Sequence, residues 1–168
     1  MALGFSATAP TAFLPILKYH IPDGRFLRID RTPVGTTIHD ITDDFAAVVD
    51  MDAIEVGWMR FGHGVRPDMR LFPLGGVWPE APSVQHKRGL RVVLQLSDAH
   101  GGEVRELSST AGSFLEAFDA LHDEFLAGRS ANPGKLPVVV LMGRDADNRP
   151  HFTIAGWVER PPALAGSH

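Results

Sequence analysis

Most of this chain alternates apolar and polar residues at the period of a strand, and a single stretch repeats them at the period of a helix. Over residues 108–128, Phe114, Leu115, Phe118, Leu121, Phe125 and Leu126 fall at i, i+1, i+4, i+7, i+11 and i+12, one stripe of an amphipathic helix. Ser108 or Ser109 is suited to accept from the first free N–H groups, and Gly128 stands where a helix end calls for positive φ. Glu116, Asp119, Asp123 and Glu124 lie off the stripe, so the outward face is acidic. The stripe predicts a helix laid over a sheet.

Before that helix, residues 10–19 form an apolar opening strand broken by Pro15, which places it at an edge. Pro22-Asp23-Gly24 is a turn, and residues 25–30 alternate as a second strand. Residues 32–44 are polar, carry Pro33 and Gly35, and read as a loop. Two apolar runs, 45–51 and 54–61, separated by little more than Asp52 and Ala53, predict a hairpin. A long irregular excursion follows, punctuated by Gly64, Pro67, Pro73, Gly75-Gly76, Pro79 and Pro82; loops of that length in small domains are usually functional. Residues 88–97 give the clearest strand, with Leu90, Val92, Leu94 and Leu96 on one face and Arg91, Val93 and Gln95 on the other. A short strand, 103–107, leads into the helix. The almost wholly apolar 136–142 predicts a central strand, and 151–159 the last one. Val56-Gly57-Trp58-Met59 and Ala155-Gly156-Trp157-Val158 echo one another.

The expected class is therefore α+β and mostly antiparallel, an OB-like barrel with one helix between a meander and a final hairpin. We expect a flexible leader over residues 1–12, a single β-rich domain over 13–162, and a disordered or appended tail over 163–168.

Composition narrows the chemistry. The 168 residues contain no cysteine, which removes disulfides, thiol nucleophiles and thiolate zinc sites. No apolar run approaches the roughly 20 residues of a membrane span, so no membrane partner is expected. The net charge of −4 is uneven: residues 60–91 hold six basic side chains against Asp68 and Glu80, a local +4 on an acidic body.

That basic segment is interleaved with aromatics. Single-stranded nucleic acid is bound by this combination, cations following phosphates while aromatic faces stack bases. Arg60, Arg66, Arg70, Lys87, Arg88 and Arg91 are the expected phosphate contacts, and Trp58, Phe72 and Trp78 the stacking faces. Strand pleat puts Trp58 and Arg60 on one face, and Arg91 with Gln95 on another; suitable pairing would join them into one surface, away from the acidic helix. A metal-dependent nuclease is the third reading: Pro67-Asp68 with Gln85-His86-Lys87 resembles the paired acidic and lysine residues of restriction-like nucleases, with Gln in the second acidic place. Asp50, Asp52 and Glu55 cluster at a predicted turn, and the eight histidines show no metal-ligand spacing. Nucleotide-binding and hydrolase motifs are absent from the sequence, so no cofactor and no catalytic residue is assigned.

The runs Gly57-Trp-Met-Arg-Phe61, Pro67-Asp68, His86-Lys-Arg-Gly89, Gly134-Lys-Leu-Pro-Val138 and Phe152-Thr-Ile-Ala-Gly-Trp-Val158 resemble proteins of unassigned activity encoded by phages and prophages of proteobacteria. The element order is also similar to phage single-stranded-DNA-binding proteins of the barrel type. That resemblance implies a non-catalytic role in DNA replication or recombination in the cytoplasm of a bacterial host, with replication or recombination proteins or a second copy of the chain as partners. Such proteins often end in an acidic tail, whereas this chain ends Arg160-Pro-Pro-Ala-Leu-Ala-Gly-Ser-His168. The alternative expectation is a phage structural or interaction protein with no affinity for nucleic acid.

Overall fold

Leu90, Val92, Leu94 and Leu96 give one strand enough apolar surface to anchor a domain, and the sheet is built around it. In the computed structural model, which describes residues 14–62 and 64–165, that strand is β7, Lys87–Leu96. The strands before it are β1 (Ile16–His20), β2 (Arg25–Thr32), β3 (Gly35–Asp40), β4 (Ala46–Val49), β5 (Glu55–Arg60) and β6 (Asp68–Pro73). After it come β8 (Val104–Ser109), the helix α1 (Gly112–Gly128), β9 (Lys135–Arg144) and β10 (Pro150–Glu159). The expected leader and residues 166–168 of the expected tail lie outside the described residues.

One sheet runs β10-β9-β4-β7-β8-β1-β2-β3, and β5 and β6 branch from the first half of β7. All pairings are antiparallel except β1 with β8. The α+β class, and among the described residues the one α-helix, placed between the early strands and the last hairpin, are as the pattern predicts. The ladders leave the sheet open: β10 and β3 are its two ends, and no strand pairing joins them among the described residues. The tips of two hairpins nevertheless meet. Asn148, at positive φ in the β9–β10 turn, donates to the carbonyls of Ile21 and Pro22, and its own carbonyl accepts from the Tyr19 hydroxyl. Arg144 donates to the Gly24 carbonyl. A Cβ at Gly24 would lie 2.8 Å from Asn148 Oδ1 and 2.9 Å from Arg144 Cδ, and φ there is +63°, so glycine serves both the turn and the contact.

The core lies between α1 and one face of this curled sheet. Phe114, Ala117, Phe118, Leu121 and Phe125 are buried, and the three phenylalanines and Leu121 pack in one cluster with Phe26, Phe45, Val92, Leu94, Leu107 and Val139. Phe26 stacks on Phe45 at 4.1 Å, and Trp157 on Phe125 at 5.7 Å. The acidic face stays exposed as expected, and Glu124 also covers a sheet edge, its carboxylate accepting from the backbone N–H of Ile154 on the outer side of β10. That edge is also bulged at His151/Phe152 and Ile154/Gly156.

Both ends of the helix differ from expectation. Ser108 and Ser109 belong to β8, and the helix starts later, with Ala111 at its cap position. Ser109 Oγ accepts from the Ala111 N–H, which shapes the approach rather than capping the helix. Gly128 has φ −96° and leads into a 3-10 turn, Arg129–Ala131. It is glycine for lack of room: a Cβ would sit 2.7 Å from the Trp157 ring.

Three strand assignments also change. The opening strand starts after Pro15 and is interior, because β1 lies between β2 and β8. Arg105 explains that placement. Its side chain, 1% exposed, donates to the carbonyls of Ile16 and Ile29 and to Asp30 at 2.5 Å, tying β8 to β1 and β2 where the parallel ladder itself is short. Residues 35–40 form β3 rather than a loop; all six are exposed, so backbone pairing with β2 holds the strand without an apolar face. Finally, β4 and β5 do not pair with each other. A 3-10 turn, Met51–Ala53, bends the chain so that both lie along the same edge of β7, β4 against Leu94–Leu96 and β5 against Lys87–Arg91. The end of the folded region moves as well: Pro162–Leu164 is a 3-10 turn, and Leu164, 1% exposed, packs with Val93 and Leu136 behind the sheet.

Candidate nucleic-acid interface

The register of β6, β5 and β7 decides which of the expected residues share a surface. Directly paired residues on neighbouring strands project to the same face. Trp58 pairs with Arg70 on one side and Arg88 on the other, Val56 pairs with Phe72 and Leu90, and Arg60 pairs with Asp68. Arg60, Arg70, Phe72 and Arg88 therefore surround Trp58 on one face. Part of the long excursion is β6 itself, and the rest, residues 74–86, folds back as a strap that brings in Trp78. Its ring meets Phe72 and Trp58 edge to face at 5.0 and 5.5 Å. Trp58 Nε1 donates to the Pro79 carbonyl at 2.8 Å, and the Arg88 guanidinium lies 4.5 Å from the Trp78 ring centre and 5.5 Å from that of Trp58. All three rings remain partly exposed.

The other expected residues are elsewhere. Lys87 pairs with Met59 and Arg91 with Glu55, one position out of phase with Trp58, so both belong to the opposite face. Arg91 is moreover engaged, donating to Glu106 at 2.5 Å and to Glu55 at 2.9 Å. The joint surface of Trp58 with Arg91 and Gln95 is thus replaced by one of Trp58 with Arg70 and Arg88. Arg66 lies apart in the loop before β6, lining a groove of about 840 Å³ with Arg31, Glu103 and Arg105. The surface also lies nearer to the helix than expected, because a hollow of about 200 Å³ beside Trp78 and Arg88 is closed on its far side by Leu115, Phe118, Asp119 and His122 of α1.

A latch holds the strap. His86, 7% exposed, places Nε2 3.1 Å from Asp68 Oδ2 and Nδ1 2.7 Å from Ser83 Oγ. The Arg70 guanidinium first, and the His86 ring second, hold the Asp68 carboxyl below its ordinary range. A carboxylate only accepts, so in the neutral ring Nε2 carries the proton and Nδ1 accepts from the Ser83 hydroxyl. Ser83 Oγ in turn accepts from the Gln85 N–H, which makes the three residues a folded turn pinned to β6. The residues of the nuclease reading are separated by this arrangement: Asp68 is bound to Arg70 and His86, and Lys87 is on the other face of the sheet. The carboxylates Asp50 and Asp52 are bridged by Arg160, at 3.0 and 2.8 Å, and Glu55 accepts from Arg91. Among the described residues no helix is long and apolar enough to cross a membrane.

The latch and Arg105 are not among the residues that the sequence pattern singles out. Ser83 and His86, three apart, stand in a proline-rich run without periodicity. Arg105 did leave a signal, since it shares parity with the buried Leu107 on β8. Compared with protein-family profiles, curated proteins and solved structures, the chain matches none.

Proposed function

We propose that this protein binds single-stranded nucleic acid without catalysis, through the platform of Trp58, Phe72 and Trp78 edged by Arg60, Arg70 and Arg88. The observation that carries the reading is the row Arg70–Trp58–Arg88 across three paired strands. It sets two cations on either side of a partly exposed indole, so that phosphates and a base are met together. On this reading the curled sheet serves as an OB-like half barrel, with β5, β6 and the strap as its binding face. The setting is phage DNA replication or recombination in a bacterial cytoplasm. Lys87, Arg66 and Arg91 are left out of the contact.

The test is a titration with labelled oligo-dT at low and moderate salt. Three cations on a single strand give a logarithmic salt slope of about −2. An absence of binding at micromolar protein in low salt would overturn the proposal.

The alternative of an interaction protein has one observation in its favour. Strand β3 is exposed along its whole length and, among the described residues, pairs on one side only, with β2. Such an edge is a template for strand addition. A stable homodimer that dissociates in Ile38→Pro, whose N–H faces away from β2, without oligonucleotide affinity in either form, would favour that reading.

A further inference from the structure

The hollow beside the platform has its own chemistry. Its lining is mostly apolar, with Leu90, Leu115, Phe118 and Trp78 among the residues that form it. Three of its lining residues are polar: Arg88 from the sheet, and Asp119 and His122 from the helix. Arg88 and Trp78 belong to the platform and to the hollow alike, so a strand lying across Trp58 passes the opening.

From this we infer that the hollow is a pocket for one unstacked nucleobase, read by Asp119. The inference rests on the platform reading above. A base is an apolar disc with a polar edge, and the hollow offers a mostly apolar lining with polar residues in it. Arg88 would take the phosphate of the inserted nucleotide while its ring lies against Trp78 and its edge reaches Asp119. A carboxylate only accepts hydrogen bonds, so it favours bases that present an amino group. Cytosine and adenine each do; thymine presents two carbonyls and one N–H. The preference is confined to one position on an otherwise sequence-tolerant surface. One hydrogen bond made or missed corresponds to about threefold to tenfold in affinity.

The experiment compares fluorescence anisotropy of labelled dC12, dA12 and dT12 with wild type, Asp119→Ala and Leu115→Trp, each checked by circular dichroism. The wild type should bind dC12 and dA12 about threefold to tenfold more tightly than dT12. Asp119→Ala should raise dT12 affinity slightly, through lost repulsion of phosphate, and lower dC12 and dA12 to that level. Leu115→Trp, which fills the hollow from the helix side, should also level them while keeping dT12 affinity and its salt slope. Because Leu115 packs against the core, Leu115→Phe gives a milder filling if the tryptophan variant does not fold. Equal affinities of the wild type for the three strands, with salt-dependent dT12 binding intact, would overturn the pocket and leave the platform standing. A preference that survives both substitutions would overturn it as well. No binding of any strand would overturn both readings.

Discussion

Gly57 offers the sharpest test of how the platform is held. A Cβ built there would lie 2.0 Å from the Arg70 carbonyl oxygen, 2.8 Å from its carbon and 2.9 Å from Leu71 Cα. These atoms are backbone, so no side-chain rotation relieves the contact. Ordinary contact begins at 3.4 Å, and Gly57→Ala must therefore push β5 and β6 apart by about 1.4 Å. A displacement of that size breaks the adjacent ladder bonds; at about 1 kcal/mol net for each of two or three bonds, the cost is about 2–3 kcal/mol. For a chain of this size that lowers the melting temperature by about 5–10 °C. Among the described residues strand β6 pairs with β5 alone, so it yields first, and Arg70 and Phe72 leave the platform with it. Oligo-dT affinity should then fall about tenfold, the loss of roughly one stacked base. Thermal melts followed by circular dichroism and by tryptophan emission, with anisotropy titrations alongside, measure both effects. A melting temperature within about 1 °C of wild type and an unchanged affinity would refute the close approach of β6 to Gly57 and its role in binding.

Arg88→Ala should weaken oligo-dT binding and reduce the salt slope by about 0.7, whereas Arg91→Ala should leave the slope unchanged and melt earlier, because Glu55 and Glu106 lose their common partner. Leu164→Ala should cost about 2 kcal/mol in urea unfolding, against less than about 0.5 kcal/mol for Leu126→Ala on the exposed side of α1; equal small effects would return Leu164 to the tail. Acid should loosen the β1–β2–β8 junction. Arg105 holds the Asp30 carboxyl below its ordinary 3.8, so this pair stabilises the fold above that value and its contribution is lost as pH falls through the lower, folded one. Asp30→Asn should accordingly show a shallower decline in urea midpoint between pH 5 and pH 3 than wild type; parallel curves would contradict the linkage.

What the amino-acid pattern conveyed was burial, and what it withheld was pairing. The stripe from Phe114 to Phe125 and the alternation from Leu90 to Leu96 each record one buried face, and both elements stand where the pattern put them. Strand β3 buries nothing, so its polar sequence resembles a loop. The bend at Met51–Ala53 separates β4 from β5, yet a short turn between two apolar runs reads the same whether the runs pair with each other or with a third strand. The candidate site was half legible for the same reason. Trp58, Arg70, Phe72, Trp78 and Arg88 were identified as types suited to a strand, but their assembly depends on a register that places Arg91 on the far face. The position of Gly128 at a helix end suggests freedom of φ, whereas its place against Trp157 requires smallness.

The carboxylate of Glu124 on the Ile154 amide has a consequence for how copies of this molecule can accumulate. A sheet with two receptive ends polymerises, each added copy exposing a fresh end. Here the β10 end is stoppered by the helix and by its bulges, while the β3 end is bare among the described residues. Growth through these two ends then has one valence per molecule: two copies joined β3 to β3 consume both bare ends, and further lengthening would have to use the outer side of β6, which among the described residues pairs with β5 alone.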